Sequence, residues 1–271
     1  MPELPEVETT RRGIARVADG QTVRELRIYD HRLRWPIDHD VPQHVAGQHI
    51  VAVDRRAKYL LVRLEHGTLI LHLGMSGSLR WLDAQTPRIK HDQFDLLLDT
   101  GVTLRFNDPR RFGSLHYTTA DPSEHKLLRD LAPEPFEPTF DADYLYGITR
   151  GRRAAIKQVL MNGRLVTGVG NIYASEALFR AKISPRRAAK RLTSADCARL
   201  VRAVRAALNA AIKAGGTTLR DYVGTDGNPG YFRKKLYVYE RDGLPCRTCD
   251  TLVKKLTQGQ RSTYYCPHCQ R

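Results

Sequence analysis

The sequence predicts an α+β protein of two domains, and three observations carry that reading. From residue 23 to 120, short apolar runs alternate with glycine-bearing turns, as in an antiparallel sandwich or barrel. Beyond residue 144 apolar residues recur at helical spacing. The last 26 residues hold four of the five cysteines, spaced C-x2-C-x16-C-x2-C. At 271 residues the chain is long enough to bury two cores.

The first expected element is a helix from residue 5 to about 17. Val7, Ile14 and Val17 recur on one face, Arg11, Arg12 and Arg16 point elsewhere, and Gly20 marks the exit. Strands follow at 51–53, 59–62 and 68–73, with Glu65-His66-Gly67 as a turn and Gly74-Met75-Ser76-Gly77 as an interruption. Residues 94–98 and 102–106 flank Asp99-Thr100-Gly101, a hairpin signal. Pro133, Pro135 and Pro138 stand in an acidic stretch that predicts a stiff linker. Helices are expected at 154–161, stopped by Asn162-Gly163, and at 171–181, entered from Gly168-Val169-Gly170. The longest should span 194–214, with Ser194 as its cap, Leu200, Val201, Val204, Leu208, Ala211 and Ile212 on its apolar face, and Gly215-Gly216 at its end. Arg199, Arg202 and Arg205 are expected on its solvated face, and Cys197 as a small buried side chain.

Formal net charge is +15, unevenly spread. Residues 1–130 carry 19 Lys and Arg against 18 Asp and Glu; residues 131–271 carry 25 against 11. Such an excess in one half points to a polyanion, most simply nucleic acid. No apolar run approaches membrane-spanning length, and the N-terminus lacks a basic-then-apolar leader, so a soluble intracellular protein is expected.

The chain opens Met1-Pro2-Glu3-Leu4-Pro5-Glu6-Val7-Glu8, two prolines and three carboxylates before any base. As structure this is a helix start, with Pro5 in the first turn and Glu6 and Glu8 at the positive end of the dipole. As chemistry, trimming Met1 beside the small Pro2 leaves a secondary amine. An α-amino group titrates near pH ~8, so part of it is neutral and nucleophilic at neutral pH. Condensed with a sugar aldehyde, it forms a cationic iminium, and Glu3 would stand beside it as an acid/base group. The residues alone leave both readings open.

Cys246, Cys249, Cys266 and Cys269 form two knuckles that each supply two thiolates. Four thiolates close a tetrahedral zinc site with no open position, so one Zn²⁺ is expected to fold the segment and not to catalyse. Two disulfides are the alternative, disfavoured in a reducing cytosol. His268 is expected to be a bystander. The insert, with Lys254, Lys255, Gln258, Gln260, Arg261 and Thr263, predicts a hairpin whose tip lies on a phosphate backbone. Upstream, the stretch from Arg164 to Tyr173 places glycines between two helices, where backbone N–H groups and Asn171 can face a phosphate.

With these blocks in view, the sequence resembles the bacterial formamidopyrimidine-DNA glycosylases, base-excision enzymes for oxidised purines. PELPEVET, RRAKYL, HLGMSGSL, NDPRRFG, GVGNIYASE and the final cysteines carry the resemblance along the whole chain. It implies a β-sandwich bearing the first helix, then a helix–two-turn–helix domain followed by a β-hairpin zinc finger. The corresponding divisions are 1–131, a linker at 132–143, 144–235 and 236–271. It further implies that Pro2 forms a Schiff base with C1′ of the damaged nucleotide and that Glu3 is its acid/base partner. Lys58 would serve β-elimination and phosphate contact; Arg261 would serve δ-elimination and share a phosphate grip with Asn171. Met75, Arg110 and Phe112 would fill the gap left by the extruded base. His91, Arg111 and Arg152 would contact DNA, and Lys157 would contact it near the lesion. Residues 217–231 correspond to a loop that closes over the base, and Glu6 to an acidic position near the active site.

These types suit the chemistry. A base inside a duplex must be flipped before attack, at a cost of a few kcal/mol, and apolar wedges offset the lost stacking. Arg110, a rigid fork of donors, suits the edge of an orphaned cytosine. The expected activity is a bifunctional glycosylase and AP lyase acting on double-stranded DNA, with structural zinc as the only cofactor. The protein is expected to be a cytoplasmic monomer, associated with the nucleoid through DNA. Two alternatives are the same-fold enzyme for oxidised pyrimidines and a non-catalytic zinc DNA-binding protein. Leu4 and the Met75, Arg110 and Phe112 set argue against the first; Pro2, Glu3 and Lys58 argue against the second.

Overall fold

The computed structural model describes residues 2–216, 225 and 235–271. The chain divides into two compact units, one of Met1–Arg129 with Ile212–Arg233, the other of Asp130–Ala211 with Lys234–Arg271.

In the first unit, the alternating pattern builds two four-stranded antiparallel sheets. One runs β1 (Val23–Ile28), β6 (Asp92–Leu98), β7 (Val102–Asn107), β5 (Ser78–Asp83); the other runs β2 (Ile50–Arg56), β3 (Tyr59–Leu64), β4 (Gly67–His72), β8 (Ser114–Thr118). Leu26, Phe94, Leu96, Leu104 and Phe106 of the first sheet share one core with Val53, Leu60, Val62, Leu71 and Leu115 of the second. Helix α1 (Leu4–Ala18) adds Val7, Ile14 and Ala18 to that core, so its apolar stripe is a packing face. A short helix unforeseen in the sequence, α2 (Val41–Val45), adds Val41 and Val45; five residues are too few to show a period. The hairpin expected around Asp99-Thr100-Gly101 joins β6 to β7, with Gly101 at φ +82°. Arg105 on β7 is buried and bonds both carboxylate oxygens of Asp95 at 2.8 and 2.7 Å, with further bonds to the Thr86 and Pro87 carbonyls.

The second unit holds α3 (Ala142–Thr149), α4 (Ile156–Leu160), α5 (Asn171–Arg180), α6 (Ser194–Lys213) and a hairpin of β9 (Lys254–Gln258) with β10 (Arg261–Tyr265). Helix α4 is shorter than its expected span. The cap of α6 is Thr193, not Ser194: Thr193 Oγ1 accepts from the Asp196 amide, and Asp196 Oδ2 accepts from the Thr193 amide. Arg205 of α6 does not lie on a solvated face. Its guanidinium donates to the carbonyls of Pro135, Glu137 and Phe140, so it holds the proline-bearing stretch against the helix. Cys197 is buried, as its type implied.

Removing one partner of a buried, hydrogen-bonded ion pair leaves an uncompensated charge. Arg105→Ala is therefore expected to cost about 3–5 kcal/mol in urea unfolding. Arg63→Ala, which breaks an exposed pair with Asp54, is expected to cost less than about 1 kcal/mol.

Candidate functional site

Pro2 and Glu3 stand immediately before α1, and both are buried. Glu3 is the N-cap residue, in extended conformation, and its N–H donates to Glu6 Oε2 at 2.8 Å. Glu6 is itself buried, so its carboxylate fixes the direction from which Pro2 enters the helix. One turn on, Glu8 accepts from Arg11, Arg12 and Arg55, while Arg11 also reaches the Val53 carbonyl. Burial pushes the Glu8 carboxyl up, but those three cations together outweigh it and hold the group below its usual range. Arg55 lies on β2 and bonds the Ala57 carbonyl at 2.8 Å. Ala57 and Lys58 form the two-residue turn into β3, with Ala57 at φ +54°. The base of α1 and the turn that presents Lys58 are thus tied through one carboxylate.

Across the β3–β4 pair, Tyr59 faces His72, with ring centroids 4.8 Å apart. Burial, then Lys58 and Arg34, push the His72 imidazole down to about 4. It is neutral at pH 7, and its Nδ1 accepts from the Gly74 N–H at 3.0 Å, next to Met75. Met75 and Phe112 are exposed, by 38% and 42%. Gly74 sits at φ +67°, and a Cβ there would lie 2.4 Å from the Phe112 and Gly113 backbones, so the two loops touch main chain to main chain. Arg110 is exposed and stacks over Phe112 at 4.9 Å. Arg111, at φ +55°, pairs with Asp30 at 2.6 Å. His91, at φ +75°, accepts through its carbonyl from the Asp108 amide. The first unit therefore gathers Met75, His91 and Arg110 to Phe112 on adjoining loops.

Of residues 217–231, only Thr225 is among the described residues. Its carbonyl accepts from the Trp81 amide on edge strand β5 at 3.1 Å. Its hydroxyl occupies the space a side chain at Gly13 would need: a Cβ there would lie 2.1 Å from Thr225 Oγ1.

In the second unit, α5 begins at Asn171 behind Gly170, which puts the positive end of its dipole there. Lys157 of α4 is buried and donates to Asn171 Oδ1 at 2.5 Å, Thr263 Oγ1 at 2.7 Å and the Ser262 carbonyl at 3.1 Å. Asn171 Nδ2 donates to the same Ser262 carbonyl. The neighbouring Arg261 is exposed, beside a hairpin tip whose Gly259 and Gln260 both have positive φ, as a two-residue hairpin turn requires. Arg152 is exposed and donates to the Ile148 carbonyl. Glu176, fully buried on α5, accepts from the amides of Tyr237, Val238 and Tyr239. Burial pushes its carboxyl above the usual carboxylate range, and those three amides offset only part of that push.

The cysteine Sγ atoms of residues 246, 249, 266 and 269 lie within 4.8 Å of one another. Three of the separations are 4.0, 3.5 and 3.3 Å. Tetrahedral zinc at ~2.3 Å from each sulfur sets ligand separations near ~3.8 Å, so the four thiolates fit one zinc ion. His268 is exposed and outside that cluster.

Sequence comparison finds three family models along the chain. A family model for the formamidopyrimidine-DNA glycosylase N-terminal domain matches residues 1–115, and one for the H2TH domain of the same proteins matches 131–223. A zinc finger found in FPG and IleRS matches 243–271. The formamidopyrimidine-DNA glycosylase of Thioalkalivibrio sulfidiphilus is 56% identical over all of both chains. The chain belongs to the formamidopyrimidine-DNA glycosylase family.

The family's formamidopyrimidine-DNA glycosylase from Stutzerimonas stutzeri is 53% identical, again over both full lengths. Among solved structures, the Fpg protein of Thermus thermophilus superposes with TM-score 0.89 at 40% identity, covering 99% of this chain and 98% of that one. The Lactococcus lactis Fpg in complex with abasic-site DNA gives 0.92 at 30% identity, covering both chains fully.

His72, Asp108 and Glu176 escaped the sequence reading. Only Glu176 left a local trace, as a lone carboxylate among the apolar residues of α5.

Two outcomes follow from this geometry. Cys249→Ser is expected to lose its zinc in metal analysis and its duplex affinity in a gel shift, because the finger has no metal-independent core of comparable size. His72 titrates near 6.5 unfolded and about 4 folded, so its contribution is complete above pH 6.5 and is lost as pH falls toward 4. Denaturant unfolding is expected to show lower stability at pH 5.5 than at 7.5, and His72→Gln to reduce that difference.

Proposed function

We infer that this protein is a DNA base-excision enzyme, a bifunctional glycosylase and AP lyase for oxidised purines such as 8-oxoguanine opposite cytosine and formamidopyrimidines. The observation that carries the reading is the placement of Pro2 and Glu3 at the capped start of α1 in a chain that matches the family end to end. Removal of Met1 gives Pro2 a nucleophilic secondary amine. The amine attacks C1′ of the flipped nucleotide, the C1′–base bond breaks, and the base leaves with its electron pair and a proton. Opening of the sugar leaves an iminium between Pro2 and C1′. The iminium draws electrons from the C2′–H bond, so a proton is lost there and the 3′ phosphate departs; a second elimination releases the 5′ phosphate. Glu3 is the group that exchanges protons with the sugar, and Lys58 assists the first elimination.

The remaining roles divide by surface. Met75, Arg110 and Phe112 occupy the gap in the duplex, with Arg110 facing the orphaned base; His91, Arg111 and Arg152 contact the DNA backbone. Asn171 and Arg261 grip the phosphates at the lesion, with Lys157 beneath them. Zinc supplies the fold of the hairpin that carries Arg261. No helix among the described residues is long and apolar enough to cross a membrane; the enzyme acts in the cytoplasm, on the nucleoid, as a monomer. A structure of the Lactococcus lactis protein with DNA containing an oxidised pyrimidine makes that lesion class the appropriate comparison substrate.

Borohydride reduction in the presence of an 8-oxoguanine duplex tests the reading. Wild-type protein is expected to form a covalent adduct, and Pro2→Ala to lose the adduct far more than it loses duplex affinity. A protein that binds the duplex but yields no adduct would be a binding module, not this enzyme.

A further inference from the structure

Asp108 is fully buried, and its carboxylate accepts only from uncharged donors. Oδ1 accepts from the Ser76 hydroxyl at 2.7 Å and the Arg110 amide at 3.3 Å; Oδ2 accepts from the Gly113 amide at 2.8 Å. Its own amide donates to the His91 carbonyl at 3.0 Å, and its carbonyl accepts from Gln93 Nε2 at 3.0 Å and the Arg111 amide at 3.3 Å. Gln93 Nε2 also donates to the His91 carbonyl. One residue therefore bonds the turn holding Met75, the loop holding Arg110 and Phe112, and the turn at His91.

From this geometry we propose that Asp108 is a positioning residue for base extrusion: it locks the Met75 turn to the Arg110–Phe112 loop so that the three gap-filling side chains enter the duplex as one rigid unit. The proposal rests on the reading of Met75, Arg110 and Phe112 given above. Two exposed side chains on separate loops do not stay in register by themselves. Ordering them at the moment of insertion costs conformational entropy, which a pre-formed arrangement avoids. A carboxylate suits the task because its two oxygens accept from several donors at once. Burial leaves those donors no water as a substitute, so the loops have no comparable second arrangement. The glycine contact at Gly74 presses the same two loops together, which makes the bridge short enough for one side chain.

The test compares two substrates. Excision from a duplex with 8-oxoguanine opposite cytosine needs the wedge; cleavage of a single-stranded oligonucleotide with a preformed abasic site does not. Asp108→Ala is expected to lower the ratio of the two rates by roughly tenfold to hundredfold, the range for losing buried hydrogen bonds to a charged group. Ser76→Ala cuts only the link to the Met75 turn and is expected to lower the ratio by a few-fold. If Asp108→Ala fails to fold, Ser76→Ala decides the matter. Equal losses on both substrates, or an unchanged ratio, overturn the proposal. Arg110→Ala and Phe112→Ala are measured beside them. If those two also leave the ratio unchanged, the gap-filling reading fails; if they lower it while Asp108 and Ser76 variants do not, only the positioning role fails.

Discussion

Buried ionisable side chains bonded to backbone and other neutral groups are the constraint on which the functional loops depend. Glu6 receives the Glu3 amide, Asp108 a hydroxyl and two amides, and Glu176 three consecutive amides, while Lys157 donates to an amide oxygen, a hydroxyl and a carbonyl. Taking an ion out of water is costly unless its lone pairs or protons find partners, and backbone partners exist in only one conformation of the loop. Each of these side chains therefore specifies a main-chain path. The exposed pairs, such as Arg63 with Asp54, specify nothing comparable, because water replaces either partner at little cost.

Much of the fold was legible in the sequence because periodicity is a local property. The span of α1, the hairpin around Gly101, the long α6 and the cysteine knuckles each announce themselves within a short window. What escaped depends on contacts distant in sequence. Nothing around Arg205 says that it will meet the carbonyls of residues 135–140, and nothing around Asp108 says that Ser76 will lie against it. The same blindness covers site residues: nothing around Lys157 says that it will be buried beneath Asn171 and Ser262. Thr193 and Ser194 are both capping types, with Ser the more favoured, and only the reciprocal Asp196 bond gives the cap to Thr193.

The formal charge of +15 likewise overstates the cation available to a polyanion. Arg205 is held by three carbonyls and Lys157 by the hairpin, while the pairs of Arg105 with Asp95 and Arg55 with Glu8 already cancel within that total. Arg110, Arg152 and Arg261 are exposed instead, each on or beside a loop. A total from composition points to the class of partner, and the number of usable contacts is a property of the fold.

The finger's small core includes Phe179 of α5 together with Val238, Val253, Tyr264 and two of the cysteines. Asn171 opens that same helix, so the metal and the residues proposed to grip phosphate belong to one cooperative block. Linkage then runs in both directions. Whatever factor zinc contributes to duplex affinity, a bound duplex returns to zinc affinity, and DNA becomes a guard against chelation. In a cell short of zinc, enzyme already seated on damaged DNA would be the last to surrender its metal.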